Sequence, residues 1–156
     1  LVRFFLFENY KVVGDSMQPT LEDEQFLVVN KLGYRLGEPQ RGDIVVFEDP
    51  RDPTRKLIKR VIGLPGEVVE IQHGEVYING QNLTEPYTNG PARYSVPATP
   101  IPAGQYYVLG DNRSNSSDSH SWGTLSGETI VGKAWLSYWP PHLWGFVPHE
   151  VYGGIP

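Results

Sequence analysis

Cysteine is absent from this chain of 156 residues. Its absence excludes disulfide bonds, thiol nucleophiles and thiolate-bound metals, and it leaves the redox compartment open because a chain without cysteine tolerates either condition. The four histidines show none of the spacings typical of metal sites. The sequence therefore predicts neither a metal nor another cofactor.

Basic charge and long apolar runs are also scarce. Lysine and arginine number 13 against 18 acidic residues, a net charge of −5, which argues against nucleic acid as a partner because phosphate binding requires a basic patch. The apolar run at residues 1–7 contains Arg3 and is much shorter than the roughly 20 residues of a membrane helix. We interpret it as either a buried first strand or the outer end of a truncated membrane anchor.

Glycine and proline, by contrast, are plentiful at 17 and 14 residues, so long uninterrupted helices are not expected. Short apolar runs predict buried strands, and the dipeptides His73-Gly74 and Asn79-Gly80 predict tight hairpin turns. The predicted strands cover residues 26–30, 44–47, 57–62, 68–71, 75–78, 106–109 and 130–139. This pattern predicts a mostly-β fold whose antiparallel sheets coil or partly close and so protect their edges.

A hydrophobic content of 39% and a charged content of 20% are typical of one globular domain with a core. We predict a main β domain over residues 9–139, with a smaller β-ribbon excursion at about 66–105. Residues 1–8 would be the anchor end or the first strand, and residues 140–156 a tail rich in proline and aromatic side chains.

Ser16 is the first candidate for chemistry. Pro19 fixes its own φ and lacks a backbone donor, so the chain is predicted to turn soon after Ser16. Such a turn leaves the Ser16 hydroxyl accessible and allows its backbone N–H to face a developing oxyanion. A serine hydroxyl needs a neighbouring base to become a nucleophile, so this segment alone is a weak signal.

Lys59 is the candidate for that base. In a strand over residues 57–62 it shares a face with Leu57 and Val61. A lysine in water has a pKa of about 10.4, whereas burial disfavours the charged form and lowers that pKa. We therefore expect the apolar strand to make Lys59 a base. The alternative is a lysine whose stem covers apolar surface and whose ammonium reaches water.

The polar loop at residues 110–121 supplies hydroxyl groups. A neutral amine accepts one hydrogen bond and donates two, so a nearby hydroxyl can orient the lone pair of a lysine base. Composition does not select among the five candidates, which are Ser114, Ser116, Ser117, Ser119 and Ser121. A serine nucleophile, a lysine base and an orienting hydroxyl together predict a hydrolase that needs no His-Asp pair.

The three segments, in this order, resemble the motifs of type I signal peptidases, the serine-lysine enzymes that remove signal peptides from exported proteins. Residues 16–21 (Ser-Met-x-Pro-Thr-Leu) are similar to the nucleophile motif, and residues 59–67 (Lys-Arg-Val-Ile-Gly-Leu-Pro-Gly-Glu) to the lysine motif. Residues 110–119 (Gly-Asp-Asn-Arg-x-x-Ser-x-Asp-Ser) are similar to the third motif. The resemblance runs from about residue 10 to about residue 139, and it implies the coiled, partly closed antiparallel β fold of that family.

The resemblance implies a role for each matching residue. Ser16 would be the nucleophile, Lys59 the general base and Ser116 the serine that positions this lysine. The walls of a groove that takes small residues before the cut would include Val12, Met17, Leu21, Leu57 and Ile58. Structural support for the site would come from Arg60, Asp111, Arg113 and Asp118.

The chain departs from the family pattern at two positions. Gly14 stands where some members have a hydroxyl that binds the oxyanion, so this chain would depend on backbone groups. His120, two places after Asp118, stands where arginine is common, and it would replace that arginine in part when protonated.

The resemblance also implies a location. A single-pass anchor, truncated here, would hold the protein at a cell membrane, with the catalytic domain on the extracytoplasmic face and preprotein signal peptides as its partners. Four aromatic residues would then either rest on the membrane surface or pack in the core: Trp135, Trp139, Trp144 and Phe146.

Two other functions fit parts of the sequence. A self-cleaving repressor-type protease shares the serine-lysine pair and the Gly-x-Ser-Met opening, but the long third motif and residues 63–67 speak against it. A catalytically silent β-barrel binding module would keep the scaffold, and the presence of the serine, the lysine and the orienting serine together argues against that function.

Overall fold

The computed structural model describes residues 6–148, 150, 152 and 155. Two short helices lie wholly within these residues, α1 (Gly33–Leu36) and α2 (Ser119–Trp122), and 3₁₀ turns cover Gly127–Thr129 and Pro141–Leu143. The strands are β1 (Phe7–Lys11), β2 (Phe26–Asn30), β3 (Ile44–Asp49), β4 (Asp52–Gly63), β5 (Val68–Gln72), β6 (Glu75–Ile78), β7 (Gln81–Asn82), β8 (Val96–Pro100), β9 (Gln105–Leu109), β10 (Leu125–Ser126), β11 (Ile130–Trp139) and β12 (Gly145–Phe146).

An eight-stranded antiparallel sheet forms the larger part of the molecule. Its strands lie in the order β1-β2-β11-β3-β4-β9-β10, and β12 pairs with β11. The most buried parts of this sheet are β3, β9 and the second half of β4, whereas the first half of β4 is charged and exposed. The mostly-β, antiparallel fold predicted from the sequence is confirmed.

A second, four-stranded sheet has the order β7-β6-β5-β8. Its two tight turns have left-handed backbone at both central residues, with φ of 53° and 80° at His73 and Gly74 and of 50° and 83° at Asn79 and Gly80. This conformation suits glycine and asparagine and matches the twist of a hairpin. The two predicted hairpins are therefore confirmed.

Buried side chains join the two sheets. Ile62 and Leu109 of the larger sheet lie in one cluster with Val69 and Ile78 of the smaller sheet. A separate cluster lies beneath the loop that follows β1 and includes Met17. The site described below lies between this loop, β4 and the loop after β9.

Only the end of the apolar run at residues 1–7, which we interpreted as a first strand or an anchor end, lies within the described residues. Positions 1–5 lie outside the described residues, and Phe7 begins β1, which pairs with β2. Within the described part of the chain, no helix has the length and hydropathy that a membrane crossing requires.

Candidate active site

Ser16 lies on a tight turn in the loop between β1 and β2. The backbone N–H of Gln18 donates to the carbonyl of Asp15 (3.1 Å), and that of Leu21 donates to the carbonyl of Met17 (2.9 Å). Met17 is fully buried and Leu21 is almost so. The residues after Ser16 thus anchor the turn in the core, and the predicted chain reversal is found.

Lys59 lies on β4, where it pairs with Val45 of β3. Only 4% of the residue is exposed. Its Nζ donates a hydrogen bond of 2.7 Å to Ser16 Oγ. Two residues that are 43 positions apart in the sequence are therefore in direct contact.

The pKa of Lys59 falls from its ordinary value to about 8. Burial is the largest cause, since it penalises the ammonium form. The negative charge of Asp118 opposes this effect, the positive charge of Arg51 adds to it, and the charge of Asp49 opposes it more weakly. A substantial share of the amine is consequently neutral just above neutral pH.

Ser116 faces the same site from the loop after β9. Its Oγ is buried and has no hydrogen-bond partner among the described residues. A Cβ at Gly110 would lie 2.6 Å from both the Ser116 Cβ and the Ser16 carbonyl oxygen, so only glycine allows this close approach. The Ser16 carbonyl also accepts a hydrogen bond of 2.9 Å from the Asn112 N–H, which fixes the loop against the turn.

The other loop serines have different surroundings. Ser119 is buried, and its Oγ accepts the backbone N–H of Val108 (2.9 Å). Ser121 lies beside the ring of His120, whereas the Ser117 hydroxyl accepts a hydrogen bond from Arg51. Among these serines, Ser116 has a buried hydroxyl without a partner in the described residues.

A cavity of about 630 Å³ opens above the Ser16–Lys59 contact, with Ser114, Ser116, Ser117, Arg51, Arg55 and Val13 among its lining residues. An adjoining cavity of about 230 Å³ shares Ser16 and Lys59 and is lined by Tyr10, Leu57 and Ile58. We call the two together the cleft.

Of the five predicted groove residues, Leu57 and Ile58 line the cleft. Val12, Met17 and Leu21 are not among its lining residues and lie in the cluster beneath it, together with Ile58. For those three residues, a role as walls of a substrate groove stays a prediction.

Arg60 does not line the cleft, and its side chain contacts Asp111 in the loop after β9. Its Nε and Nη2 donate to the two carboxylate oxygens of Asp111 at 2.9 and 2.7 Å, and both side chains are fully buried. Asp111 also accepts a hydrogen bond of 2.5 Å from Thr20 Oγ1. This ion pair connects β4, the loop after β9 and the Ser16 loop.

Arg113 and Asp118 stabilise the loop after β9, through contacts within the loop and with Glu85. Arg113 donates to Glu85 through two nitrogens at 2.7 and 2.5 Å, and its Nε donates to the Gly110 carbonyl at 2.8 Å. Asp118 accepts the Gly110 N–H at 2.9 Å and contacts Nδ1 of His120. The bidentate Arg113–Glu85 pair links the smaller sheet region to the loop that carries Ser116.

His120 occupies the position where the sequence departs from the family pattern. Its ring contacts the Asp118 carboxylate and stacks on the Tyr94 ring, with 3.7 Å between the centroids. At the other departure, the Gly14 N–H donates to Asp23 Oδ1 at 2.7 Å. That amide is therefore engaged within its own loop.

Sequence reasoning missed three residues that contact the site's supports: Thr20, Glu85 and Tyr94. Their partners lie elsewhere in the sequence, as with Glu85 and Arg113, which are 28 positions apart. Thr20 belongs to the first motif, but its residue type alone assigns it no role. No local pattern marks Glu85 or Tyr94, because a single glutamate or tyrosine in a loop is ordinary.

Known proteins share much of this sequence. The sequence model of the family described as "Signal peptidase, peptidase S26" matches residues 1–139. The probable signal peptidase I-1 of Synechocystis sp. is 46% identical over 152 residues, which cover 93% of this chain and 78% of that protein. The signal peptidase I of Bacillus caldolyticus is 39% identical over 153 residues, which cover 89% and 83% respectively.

A solved structure is similar as well. The crystal structure of a signal peptidase I from Enterococcus faecalis V583 has a TM-score of 0.56 and 35% sequence identity, and the match covers 62% of this chain and 97% of that one. The identity and coverage of these matches exceed what a shared fold alone would require. The chain belongs to the signal peptidase family, peptidase S26, a family of serine endopeptidases.

Proposed function

We propose that this protein removes N-terminal signal peptides from exported preproteins by means of a serine nucleophile and a neutral lysine base. The observation that carries the proposal is the 2.7 Å contact between Lys59 Nζ and Ser16 Oγ at a buried position. Membership of the signal peptidase family supplies the substrate class.

The first chemical step is acyl transfer to the enzyme. Neutral Lys59 takes the proton of Ser16 while Ser16 Oγ attacks the scissile carbonyl carbon. The tetrahedral intermediate collapses as the Lys59 ammonium returns that proton to the leaving amine. The signal peptide then remains on Ser16 as an ester, and Lys59 is again neutral.

The second step is hydrolysis of that ester. Lys59 now accepts a proton from a water molecule, whose oxygen attacks the ester carbonyl, and it returns the proton to Ser16 Oγ. The same amine thus acts as base and acid in both halves of the reaction. A pKa of about 8 suits this double role, because both protonation states are accessible near the working pH.

The backbone N–H of Ser16 is the proposed oxyanion donor. It has no hydrogen-bond acceptor among the residues that the structure describes, so it is available to the intermediate. Gly14 supplies no hydroxyl and its N–H already donates to Asp23. Stabilisation of the oxyanion would thus depend on the Ser16 N–H and on the electrostatic potential of the surrounding charges and dipoles.

Ser116 is proposed to aim the lysine. Its buried and unpartnered hydroxyl borders the same cavity as Lys59. A buried hydroxyl without a partner is costly, and a hydrogen bond to the amine would remove that cost. The orientation of the Lys59 lone pair toward Ser16 would follow from this bond.

The remaining residues that the family pattern marks are proposed as supports. They fix the loop after β9 against β4 and the Ser16 turn through buried ion pairs and backbone hydrogen bonds, and they are Arg60, Asp111, Arg113 and Asp118. Val12, Met17, Leu21, Leu57 and Ile58 are proposed as the apolar surroundings of small substrate residues before the cut. We place the catalytic domain at residues 9–139.

An aromatic patch is the proposed membrane contact. Trp139, Trp144 and Phe146 are 54%, 66% and 69% exposed, and Trp135 is 40% exposed. The Trp135 ring packs between the rings of Phe146 and Phe7, at 5.7 and 5.6 Å. Amphipathic rings of this kind partition to the membrane interface. The patch would rest on the extracytoplasmic surface of the membrane, near the start of β1.

Mass mapping of the cut site in a purified preprotein tests the proposal. The wild-type chain should cut once, after small residues at the signal-peptide boundary. The variants S16A and K59A should leave the preprotein intact while retaining the wild-type circular dichroism spectrum. Cleavage of its own chain would indicate the self-cleaving protease instead, and an intact preprotein under all conditions would indicate the silent binding module.

A further inference from the structure

Arg51 lies at the tip of the β3–β4 hairpin and is fixed there by Asp49. Its Nε and Nη2 each donate to Asp49 at 3.1 Å, to different carboxylate oxygens, and its backbone N–H donates to the same residue at 2.9 Å. The Asp49 side chain is only 1% exposed. A guanidinium held at two points by a buried carboxylate has little freedom to move.

The same guanidinium reaches across to the third segment. Its Nη1 donates to Ser117 Oγ at 3.0 Å, over a separation of 66 positions in the sequence. Ser117 directly follows Ser116, and both serines border the cleft together with Arg51 and Lys59. Arg51 therefore bridges the hairpin and the loop that carries the proposed orienting serine.

We propose that Arg51 is a positioning residue of the active site: its bridge from Asp49 to Ser117 fixes Ser116, and its fixed positive charge stands beside Lys59. This inference rests on the proposed function for its effect on catalysis. Its effect on the Lys59 amine is independent of turnover. Arg51 acts through these neighbours, so it requires no contact with the substrate.

The charges around Lys59 predict the direction in which its pKa shifts when Arg51 is replaced. After burial, the charged groups that act on the pKa of Lys59 are Asp118, Arg51 and Asp49, while Asp15 and Arg55 border the same cavity. Removal of the Arg51 cation takes away a repulsion and leaves Asp49 with Arg55 as its remaining compensating cation. Both changes favour the ammonium form, so the pKa of Lys59 rises and the acid limb of activity moves to higher pH.

Three variants separate the bridge from the charge. R51Q removes both, R51K keeps the cation without the planar fork that reaches Asp49 and Ser117 together, and S117A removes only the acceptor. We expect R51Q to raise the midpoint of the kcat/KM profile by about half a pH unit, which is about a threefold loss on the acid limb. R51K and S117A should lower kcat by about three- to tenfold with a midpoint close to that of the wild type.

Arg55 provides the matched control. It borders the same cavity and is exposed, and its charge acts on Asp49 and Asp52 but is not among the charges that shift the pKa of Lys59. R55Q removes the same charge as R51Q, and it should leave the pH midpoint unmoved whatever it does to KM. An equal shift in R55Q and R51Q would mean that any nearby charge suffices, and the proposed position of Arg51 would be wrong.

A titration without substrate keeps this inference separate from the proposed function. The ¹³Cε signal of Lys59, assigned by its loss in K59R, reports the amine directly by NMR. If the wild type cuts no preprotein, the proposed function fails, and the titration still decides whether R51Q raises the pKa of Lys59. An unchanged titration in R51Q, together with wild-type kcat in R51K and S117A, would overturn the inference.

Discussion

Lys59 and Arg60 are consecutive residues of one strand, and their side chains lie on opposite faces of β4. Both are buried, with 4% and 0% of the residue exposed. Lys59 contacts the hydroxyl of Ser16, whereas Arg60 contacts the carboxylate of Asp111 through two hydrogen bonds. The two faces of one strand thus give buried cations different partners.

The hydrogen-bond partner of each cation determines how readily that cation loses its proton. Burial is the largest influence on both side chains and acts to lower both pKa values. For Arg60, the hydrogen bonds and charge of Asp111, with smaller contributions from Tyr87 and Tyr152, outweigh burial and raise the pKa. The hydroxyl of Ser16 offers Lys59 no such compensation, and the pKa of Lys59 falls to about 8. A buried cation without a carboxylate becomes a base, and one with a carboxylate becomes a structural link.

The variant K59R removes the difference between the two cations, and we expect it to have the largest effect on activity. Arginine cannot lose its proton in proteins, so both faces of β4 would carry permanent cations. We expect loss of preprotein cleavage by about 1,000-fold or more at every pH. Steady-state assays from pH 6 to 10 measure it, and recovery of activity at high pH would show that Lys59 is not the base.

The variant D111N makes Arg60 the unpaired cation. Removal of one partner of a buried ion pair costs about 3–5 kcal/mol because the other charge is left uncompensated. Urea unfolding should record a loss of this size. The double variant R60M/D111L, which removes both charges, should recover most of that loss; an equally unstable double variant would contradict the reason given.

The variant K59M tests the cost of keeping Lys59 unpaired. Because the pKa of folded Lys59 (about 8) lies below that of the unfolded chain (about 10.4), the unfolded state binds more protons between these values. The wild type should therefore gain stability as pH rises through this window. At pH 7 we expect K59M to be more stable by about 2–3 kcal/mol, and near pH 10.5 the difference should vanish. A pH-independent difference in urea unfolding would contradict this linkage.

The variant S116A removes the proposed hydroxyl partner on the Lys59 side. We expect kcat to fall by about 10- to 100-fold with little change in KM, because the amine remains but is less well aimed. S116T, which retains a hydroxyl, should recover part of kcat. A rise in KM with unchanged kcat would assign Ser116 to substrate binding instead.

The variant T20V removes a hydroxyl on the Arg60 side. Thr20 Oγ1 donates to Asp111 at 2.5 Å, and the loss of one hydrogen bond beside an intact ion pair should cost about 1 kcal/mol. T20S retains the donor and should match the wild type in urea unfolding. A loss as large as that in D111N would mean that Thr20, rather than Arg60, is the main partner of Asp111.

The sequence predicted the strands well because their signals are local. The predicted strands at residues 26–30 and 130–139 coincide with β2 and β11, and the two glycine-containing turns have the expected positive φ. Apolar runs bounded by turn residues sufficed in these regions. The same local reasoning gave Lys59 an apolar strand, and the structure shows Lys59 buried on β4.

The contacts of the site could not be predicted in this way. Thr20 and Asp111 are 91 positions apart, and Arg51 and Ser117 are 66 apart. Such pairs depend on how three loops meet, and hydrophobic periodicity carries no information about that meeting. Ser116 was selected among five loop serines by family resemblance alone. The sequence also left open whether four aromatic residues pack in the core or lie on the surface, and the structure shows all four substantially exposed: Trp135, Trp139, Trp144 and Phe146.

The pairing of β4 with β3 has one more consequence. Lys59 lies opposite Val45 and Arg60 opposite Ile44, and side chains alternate between faces with a period of two. A slip of one residue would bring the guanidinium to Ser16 and the ammonium to Asp111. Such a molecule would retain hydrogen-bonded strands and a β-sheet spectrum, yet it would have no base. Chains that close this hairpin in the wrong frame would therefore lower the specific activity of a purified sample without changing its β-sheet spectrum.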